Sequence, residues 1–168
     1  MAERPIPLIL DTDIGDDIDD LYALYLAVFH PRLDLRAVTT SHRSCLRKAR
    51  FVEKALRVAG REDLPVGAGI DLSVARKALG QMNPDPGEMG THLQWVTEVD
   101  PERANTYEYG PDLILAALDA AAEPVAIACI GACSNVAEAL NRATPEQYEK
   151  IRCIALMSGE PELSLIHI

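Results

Sequence analysis

Short apolar runs alternate with longer helical segments along this chain. The apolar runs predict strands, because each is bounded by turn residues; they lie at 7–10, 33–40, 64–69, 124–130 and 151–157. The longer segments predict helices, at 21–29, 44–58, 110–122 and 134–142, with a further helical turn from Thr144. A strand followed by a helix, repeated along a chain, is typical of a parallel sheet covered by helices. We therefore predict an α/β fold with an open, mostly parallel sheet and helices on both faces.

Two of the predicted helices differ in how their apolar residues are arranged. The segment 21–29 is apolar on every side, which is typical of a buried helix. The segment 44–58 is amphipathic, with Gly60 as its predicted C-cap, and its apolar face consists of Ala49, Val52, Ala55, Leu56 and Ala59. Between 70 and 109 the pattern weakens, and only a turn at 83–87 is indicated.

The first predicted strand runs into a turn that carries six aspartates: Asp11, Asp13, Asp16, Asp17, Asp19 and Asp20. Ionised carboxylates are rarely buried unless they are paired or bound to a metal. No Lys or Arg lies between Pro5 and Pro31, so a divalent cation is the simplest neutraliser. Ligands made only of oxygen favour Ca²⁺ or Mg²⁺ over zinc. In open parallel sheets, ligands gather at the carboxyl ends of the strands, which is where this turn lies.

Helix capping is the alternative explanation for these acids. Asp is a favoured N-cap, and acids in the first turn of a helix complement its dipole. Capping explains one or two of the six residues. It does not explain Asp11 and Asp13, which the alternation of a strand places on the same side. The pattern therefore favours a site over capping alone.

Composition limits the kinds of partner. The 168 residues fit one domain, and 48% apolar with 25% charged residues is ordinary for a globular protein. A net charge of −10 argues against a nucleic-acid partner. We find no apolar run of membrane-spanning length and no signal peptide, and expect a cytoplasmic protein. The cysteines, Cys45, Cys129, Cys133 and Cys153, are interpreted as reduced packing residues, in keeping with that location.

Four segments, in order, resemble the inosine-uridine-preferring nucleoside hydrolases. The stretch 11–15 (Asp-Thr-Asp-Ile-Gly), followed by Asp19-Asp20 and an apolar helix, is similar to their opening signature. The resemblance continues through 37–40, returns at 131–140, which is similar to the family's Gly-Pro-Leu-Thr-Asn segment, and extends over the strand ending near Gly159. It implies a Rossmann-like core, a small-molecule nucleoside substrate and, for the full-length form, a homo-oligomer.

The resemblance also implies roles for individual residues. Family members cleave the N-glycosidic bond of ribonucleosides with one bound Ca²⁺. Asp13 would ligate the metal and deprotonate its water, while Asp20 and the Ser134 carbonyl would be further ligands. Asp19 would hold the ribose hydroxyls. The remaining implied residues are Asp11 and Asn135, which would support the ligands from behind, Ser44 as a substrate contact and Asp17 as an additional metal ligand.

The sequence departs from the family pattern in three places. Three residues, not one, separate Gly15 from the acidic pair, and counting back from Pro31 favours Asp19-Asp20 as the functional pair. Arg43-Ser44 stand where the family usually has Gly-Asn or Gly-Asp. The family is also roughly twice as long, and its late His-Asp pair, with the leaving-group acid, has no counterpart here.

These departures define the predicted domain. We interpret 1–162 as the N-terminal part of one nucleoside hydrolase domain, which is therefore truncated. We expect this chain alone to be inactive or a poor catalyst, since general acid catalysis is typically worth about 10²–10⁴-fold. If the chain does turn over, His42 and His92 are the first candidates for the acid.

The last six residues, 163–168, form a separate hypothesis. One set of codons for Leu-Ser-Leu-Ile-His-Ile is the transposon end used in sequencing-library preparation. We interpret this stretch as a non-native tail translated from an adapter, in which His167 has no function. The alternative is a genuine apolar strand, and the source DNA distinguishes the two.

Two other function classes fit the acidic turn. A haloacid dehalogenase-type phosphatase would use Asp11 as nucleophile and Asp13 as acid/base, with Mg²⁺ and a downstream Lys. The other acids would repel a phosphate, and we find no Lys after a suitable strand end, so this is the runner-up. A non-catalytic Ca²⁺-binding domain is the second alternative. An EF-hand does not fit, because Gly15 would be at loop position five if Asp11 were position one.

Overall fold

The computed structural model describes residues 4–71 and 107–157. Its strands are β1 (Ile6–Thr12), β2 (Leu33–His42), β3 (Val66–Asp71), β4 (Glu108–Tyr109), β5 (Val125–Cys129) and β6 (Ile151–Leu156). Its helices, numbered here in chain order, are α1 (Asp19–Phe29), α2 (Cys45–Val58), α3 (Gly110–Ala120), α4 (Ser134–Arg142) and α5 (Pro145–Glu149). The turn predicted at 83–87, His92 and the tail 163–168 lie outside the described residues.

The strands form one sheet in the order β4-β3-β2-β1-β5-β6. Every pairing is parallel, and β1 lies between β2 and β5. The register places Asp11, near the end of β1, beside Thr39 on β2 and Cys129 on β5. The predicted α/β fold with a parallel sheet is therefore confirmed. The chain leaves every strand at the same edge, which we name the carboxyl edge.

A separate apolar core covers each face of the sheet. On one face, α1 and α2 pack on alternate residues of β1, including Leu8 and Leu10. On the other face, α3 and α4 pack around Ile9 and Ile127. The alternation of β1 therefore sends successive side chains into opposite cores. Within the described residues, no helix is long and apolar enough to cross a membrane.

Two helix predictions had different outcomes. The prediction that 21–29 is a buried helix was wrong, since Tyr22, Leu26 and Phe29 are 68%, 59% and 65% exposed. Helix α1 lies on the outside of the sheet, so only one of its faces packs, and an apolar composition on all sides does not indicate which. The C-cap of helix α2 is Ala59, one residue earlier than predicted, and Gly60 follows with φ +71°, while the Arg61 amide donates to the Leu56 carbonyl.

The four cysteines are all free thiols, but they differ in burial. Cys45 and Cys129 are buried and Cys133 is half-buried, which fits packing residues. Cys153 is exposed on β6, so the prediction that it is a packing residue was wrong. Strand β6 is an edge strand of the described sheet, and residues on both of its faces are exposed, unlike those of β1.

Candidate active site at the carboxyl edge of the sheet

The β1–α1 turn and the β5–α4 connection are in contact at the carboxyl edge. The Ile130 amide donates to the Asp11 carbonyl oxygen at 2.8 Å. A Cβ atom on Gly131 would lie 2.6 Å from the Asp13 amide nitrogen and 3.0 Å from the Asp13 Cβ. Only glycine allows this approach. The structure thus brings Asp13 and the chain leading into Ser134 to the same edge.

Asp11 lies behind this turn and is fully buried. Its Oδ1 accepts hydrogen bonds from Thr39 Oγ1 at 2.6 Å and from Asn135 Nδ2 at 2.7 Å. Cys129 Sγ lies 3.4 Å from its Oδ2. Burial raises the pKa of Asp11 to about 6, against the opposing effect of these hydrogen bonds. With its oxygens occupied by buried partners, Asp11 lies behind the turn.

Asn135 connects the start of α4 to three strands. Its Nδ2 donates to Asp11 on β1 and, at 2.9 Å, to the Thr40 carbonyl on β2. Its Oδ1 accepts from the Ile70 amide on β3 at 2.8 Å. The side chain is fully buried, and both ends of its amide are occupied. It therefore sets the position of α4 relative to the acidic turn.

Asp13 and Asp20 lie on the solvent side of Asp11. Burial raises the pKa of the half-buried Asp13, and the Asp16 charge raises it further, whereas the charges of Lys48 and His42 lower it. Asp20 is 6% exposed and accepts a hydrogen bond from the Thr12 hydroxyl. Burial, followed by the charges of Asp13 and Asp19, raises the pKa of Asp20 to about 6. The acids in this cluster destabilise one another's charged forms.

The structure leaves two of the predicted acids at the surface. Asp19 is the first residue of α1, and it and Asp17 are both exposed. Asp19 lies close enough to Asp20 for its charge to raise the Asp20 pKa. Asp17 is not brought into the buried part of the cluster.

Ser44 lies where β2 passes into α2. Its amide donates to Asp71 Oδ2 at 3.0 Å. Ser44 and His42 both have a left-handed backbone, with φ values of 51° and 80°. Such angles are uncommon for residues with a side chain and cost free energy. Burial and the charges of Arg43 and Lys48 lower the pKa of His42, which favours its neutral form and does not suit it to act as an acid.

Lys48 is the residue of this site that sequence reasoning missed. Its side chain is fully buried, and its Nζ donates to the Asp13 carbonyl at 2.6 Å and pairs with Asp16 Oδ2 at 2.8 Å. No Lys or Arg lies near the acids in the sequence, whereas this ammonium reaches them from α2. A signal was present: Lys48 falls on the apolar face of α2, three residues after Cys45 and four before Val52.

The position of Lys48 corrects two arguments from the sequence. The argument that the acids lack a basic partner was wrong for Asp16. The argument against a phosphatase, that no Lys follows a suitable strand end, was also wrong, because Lys48 follows β2 and reaches the acidic turn. The repulsion of a phosphate by the other acids remains as the argument against that alternative.

Two buried hydroxyls were also missed. Ser41 Oγ and Ser134 Oγ have no hydrogen-bond partner among the described residues. A Cβ on Gly131 would lie 2.8 Å from Ser41 Oγ, so this hydroxyl is close to Asp13. Ser134 is the first residue of α4, where a helix ordinarily uses the carbonyl oxygen in its own hydrogen bonds. The hydroxyl oxygen of Ser134 is thus more available than its carbonyl oxygen to bind a metal ion.

The oxygens of this edge suit a hard cation only in part. Residues 4–71 and 107–157 contain no group of three or more His, Cys, Asp or Glu side chains placed to hold a metal. They do bring Asp13 close to Asp20 and place the unpaired Ser41 hydroxyl beside Asp13 at Gly131, while the unpaired Ser134 hydroxyl follows three residues later on the same edge. Calcium takes six to eight oxygen ligands, including waters and carbonyls. Carboxylate and hydroxyl oxygens are donors of the kind that Ca²⁺ takes, and the rest of its ligands would come from water, substrate or other residues.

A cavity of about 560 Å³ opens at the opposite edge of the sheet. It is lined by residues that include Pro5, Pro7, Asp34 and Leu113, near the starts of β1, β2 and α3. It contains none of the acids of the β1–α1 turn. The cavity is therefore separate from the candidate site.

Comparison with known families shows which protein family carries this arrangement. The sequence model of the inosine-uridine preferring nucleoside hydrolases matches residues 8–162. The chain belongs to this family. The match spans the acidic turn, Lys48 and the β5–α4 connection, and it confirms the resemblance of the four segments. It also disfavours the phosphatase alternative.

Individual nucleoside hydrolases agree with this assignment. The pyrimidine-specific ribonucleoside hydrolase RihA of Escherichia coli is 33% identical over 156 residues, which cover 92% of this chain and 48% of that protein. A plant nucleoside hydrolase, PpNRh1, has a TM-score of 0.71 at 26% identity, over 93% of this chain and 48% of that one. The Bacillus anthracis inosine-uridine preferring enzyme shares the fold, with a TM-score of 0.66 at 18% identity, over 92% and 51%. The chain thus spans about half the length of the relatives it matches.

Proposed function

We propose that the whole protein hydrolyses the N-glycosidic bond of ribonucleosides with the help of one Ca²⁺, and that this chain supplies the water-activating side of the site. The observation that carries the proposal is that Asp13 lies against Gly131 of the β5–α4 connection and close to Asp20, in a member of the nucleoside hydrolase family. Uridine and cytidine are the first substrates to test, because the E. coli relative is pyrimidine-specific.

Asp13 is the proposed general base. Burial raises its pKa, so the carboxylate binds a proton more readily than an exposed aspartate does. Calcium, when bound, would supply positive charge that orients a water and makes it more acidic. Asp13 would accept the proton of the attacking water as the water oxygen bonds to C1′ of the ribose and the bond from C1′ to the base nitrogen breaks. Asp20 would hold the cation together with an oxygen of Ser134, and Asp11 and Asn135 would fix the elements that carry these ligands.

The other residues would act on the sugar. Asp19, exposed at the start of α1, would bind the ribose hydroxyls from the solvent side. Positive charge develops on the ribose ring as the bond breaks, and nearby carboxylates stabilise it. Ser44 would contact the ribose through its hydroxyl, because its amide is already bonded to Asp71. Asp17 is exposed and would approach the cation only from the solvent side.

The resemblance carries further proposals. None of the 168 residues matches the family's late His-Asp pair, so we expect slow turnover by this chain alone. A cytoplasmic location agrees with four free thiols. The full-length form is expected to be a homo-oligomer, which light scattering after size-exclusion chromatography would test.

Calorimetric titration of the 168-residue chain with CaCl₂ tests the proposal without relying on turnover. We expect one ion to bind, and expect Asp13→Asn and Asp20→Asn each to abolish the binding heat. Asp34→Asn is the matched control, since Asp34 pairs with Arg36 near the start of β2. Absence of calcium binding by the unmutated chain would contradict the proposed site. Release of ribose from uridine, cytidine and inosine then measures the reaction itself.

A further inference from the structure

We propose that Lys48 is a positioning residue of the proposed calcium site: its ammonium holds the main-chain carbonyl of Asp13 and so fixes where the Asp13 carboxylate points. This inference rests on the proposed function, because it assumes that Asp13 is a ligand and base. It adds a residue from α2 to a site that the family signature places on β1, α1 and the start of α4.

A packing role alone does not explain why a lysine is buried at position 48. Its side chain is 1% exposed, and lysine is almost never buried without a partner. It occupies a position on the apolar face of α2 between Cys45 and Val52, where an apolar residue would need no partner. The cost of removing an ammonium from water is met here by two oxygens, the Asp13 carbonyl at 2.6 Å and Asp16 Oδ2 at 2.8 Å.

The contact with the Asp13 carbonyl is the one that can orient the carboxylate. Strand β1 ends at Thr12, so Asp13 is the first residue beyond the ladder. Gly131 packs against its amide nitrogen and Cβ on one side, and Lys48 holds its carbonyl on the other. With both neighbouring peptide groups fixed, the Cα–Cβ bond of Asp13 has a fixed direction. Charge-assisted hydrogen bonds of this kind are stronger than those between neutral groups.

The second contact, the ion pair between Lys48 and Asp16, distinguishes Asp16 from the other acids of the turn. Asp16 is paired with Lys48, while the ammonium is not bonded to the carboxylates of Asp13 or Asp20 within the described structure. Lys48 forms its ion pair with Asp16 and acts on the carboxylates of Asp13 and Asp20 only through its charge, so both carboxylates remain for an added cation. On this view Asp16 is a partner of Lys48 and not a calcium ligand.

The test compares Lys48→Met with Lys150→Met. Methionine keeps most of the side-chain volume and removes the charge. Lys150 also donates its Nζ to a main-chain carbonyl, that of Asp119 at 2.8 Å, but it lies at the start of β6, away from the carboxyl edge. Calcium affinity is measured by calorimetry and the melting temperature in chelator by circular dichroism. We expect Lys48→Met to weaken calcium binding about 10- to 100-fold, the usual effect of losing a group that orients a ligand, and Lys150→Met to leave it unchanged.

Each outcome has a defined meaning. If the parent chain does not bind calcium, the proposed function fails before the role of Lys48 is reached. If the parent binds and Lys48→Met lowers only the melting temperature, with calcium affinity kept, the positioning role is wrong and Lys48 is structural. If Lys48→Met does not fold, Asp16→Asn decides: it keeps the contact with the Asp13 carbonyl, so affinity should stay within about threefold, whereas a 10- to 100-fold loss would overturn the proposal.

Discussion

The side-chain amide of Asn135 donates to the Asp11 carboxylate at 2.7 Å, joining two residues that are 124 positions apart. The same amide bonds to the Thr40 carbonyl and the Ile70 amide. One side chain at the start of α4 therefore connects β1, β2 and β3 directly beneath the acidic turn. The relative placement of Asp13 and Ser134, on which a shared cation site depends, is set by this connection.

Replacing Asn135 by Asp tests that connection. The two carboxylates would then face each other in a buried site, and one donor to Asp11 would be lost. We expect Asn135→Asp to lower the free energy of unfolding at pH 7 by about 2–4 kcal/mol, measured by urea denaturation. Asn141→Asp, exposed on the same helix, is the control and should change it by less than about 0.5 kcal/mol. Equal losses in the two variants would contradict the role assigned to Asn135.

The same Asn135 amide leaves no room for a side chain at position 69, so this residue must be glycine. A Cβ on Gly69 would lie 2.1 Å from both Nδ2 and Oδ1 of Asn135 and 2.3 Å from the Thr40 carbonyl oxygen. None of these atoms can move without breaking a buried hydrogen bond. We therefore expect Gly69→Ala to cost about 3 kcal/mol or more of unfolding free energy.

Gly67→Ala is the matched comparison for Gly69→Ala, because it lies two residues earlier on β3. A Cβ there would lie 3.0 Å from the end of the Leu113 side chain and 3.2 and 3.3 Å from backbone atoms of Gly110 and Glu108, all farther away than the atoms around Gly69. We expect a cost of about 1 kcal/mol, measured in the same urea series. A Gly69→Ala variant as stable as Gly67→Ala would show that the Asn135 amide is not fixed as described.

The order of strands and helices could be predicted because its signals are local. Helix α4 has the predicted bounds, and β1, β2 and β5 fall within two residues of theirs. Strand β4, by contrast, has only two residues, and its pairing with β3 is a long-range contact that a local pattern does not contain. The exposed face of α1 was missed for a related reason, because an apolar composition without periodicity does not indicate which side packs.

The part of the candidate site that could be predicted is the position of the acidic turn, because the sheet topology determines it. The acidic turn had to lie at the carboxyl edge once β1 was a parallel strand. Lys48 could not be found from neighbouring sequence, because it reaches the turn across 32 residues from Asp16. The unpaired hydroxyls of Ser41 and Ser134 depend on which donors lie nearby in space, which no sequence pattern specifies.

The buried carboxylates predict how stability depends on pH in the presence of a chelator. Burial raises the pKa of Asp11 from 3.8 to about 6, so the folded state holds a proton that the unfolded state releases. Stability from this residue is therefore present below about pH 4 and is lost as pH rises through about 6, by up to about 3 kcal/mol. Asp20 acts in the same direction, and His42, whose pKa is lowered, acts in the opposite one.

A difference measurement isolates Asp11. Asp11→Asn keeps the shape of the side chain and removes its titration, so its stability relative to the parent should rise between pH 4 and pH 6. Urea denaturation at intervals across that range measures the difference. A difference that does not change with pH would mean that the Asp11 carboxyl is not desolvated.

The last prediction concerns the buried hydroxyl of Ser134. An oxygen that is removed from water without a hydrogen bond destabilises the fold, so its removal should cost nothing in a chelator. We expect Ser134→Ala to be as stable as the parent, or more stable by about 1 kcal/mol, in urea denaturation.

Calcium titration of the same variant then distinguishes the two oxygens of this residue. A loss of affinity assigns the hydroxyl as a donor, whereas unchanged affinity is the result expected if the carbonyl is the ligand. Ser41→Ala is the comparison, because its hydroxyl is equally buried and lies against Gly131. A loss of more than about 1 kcal/mol on Ser134→Ala in chelator would contradict the premise, since only a hydroxyl that already has a partner would cost that much to remove.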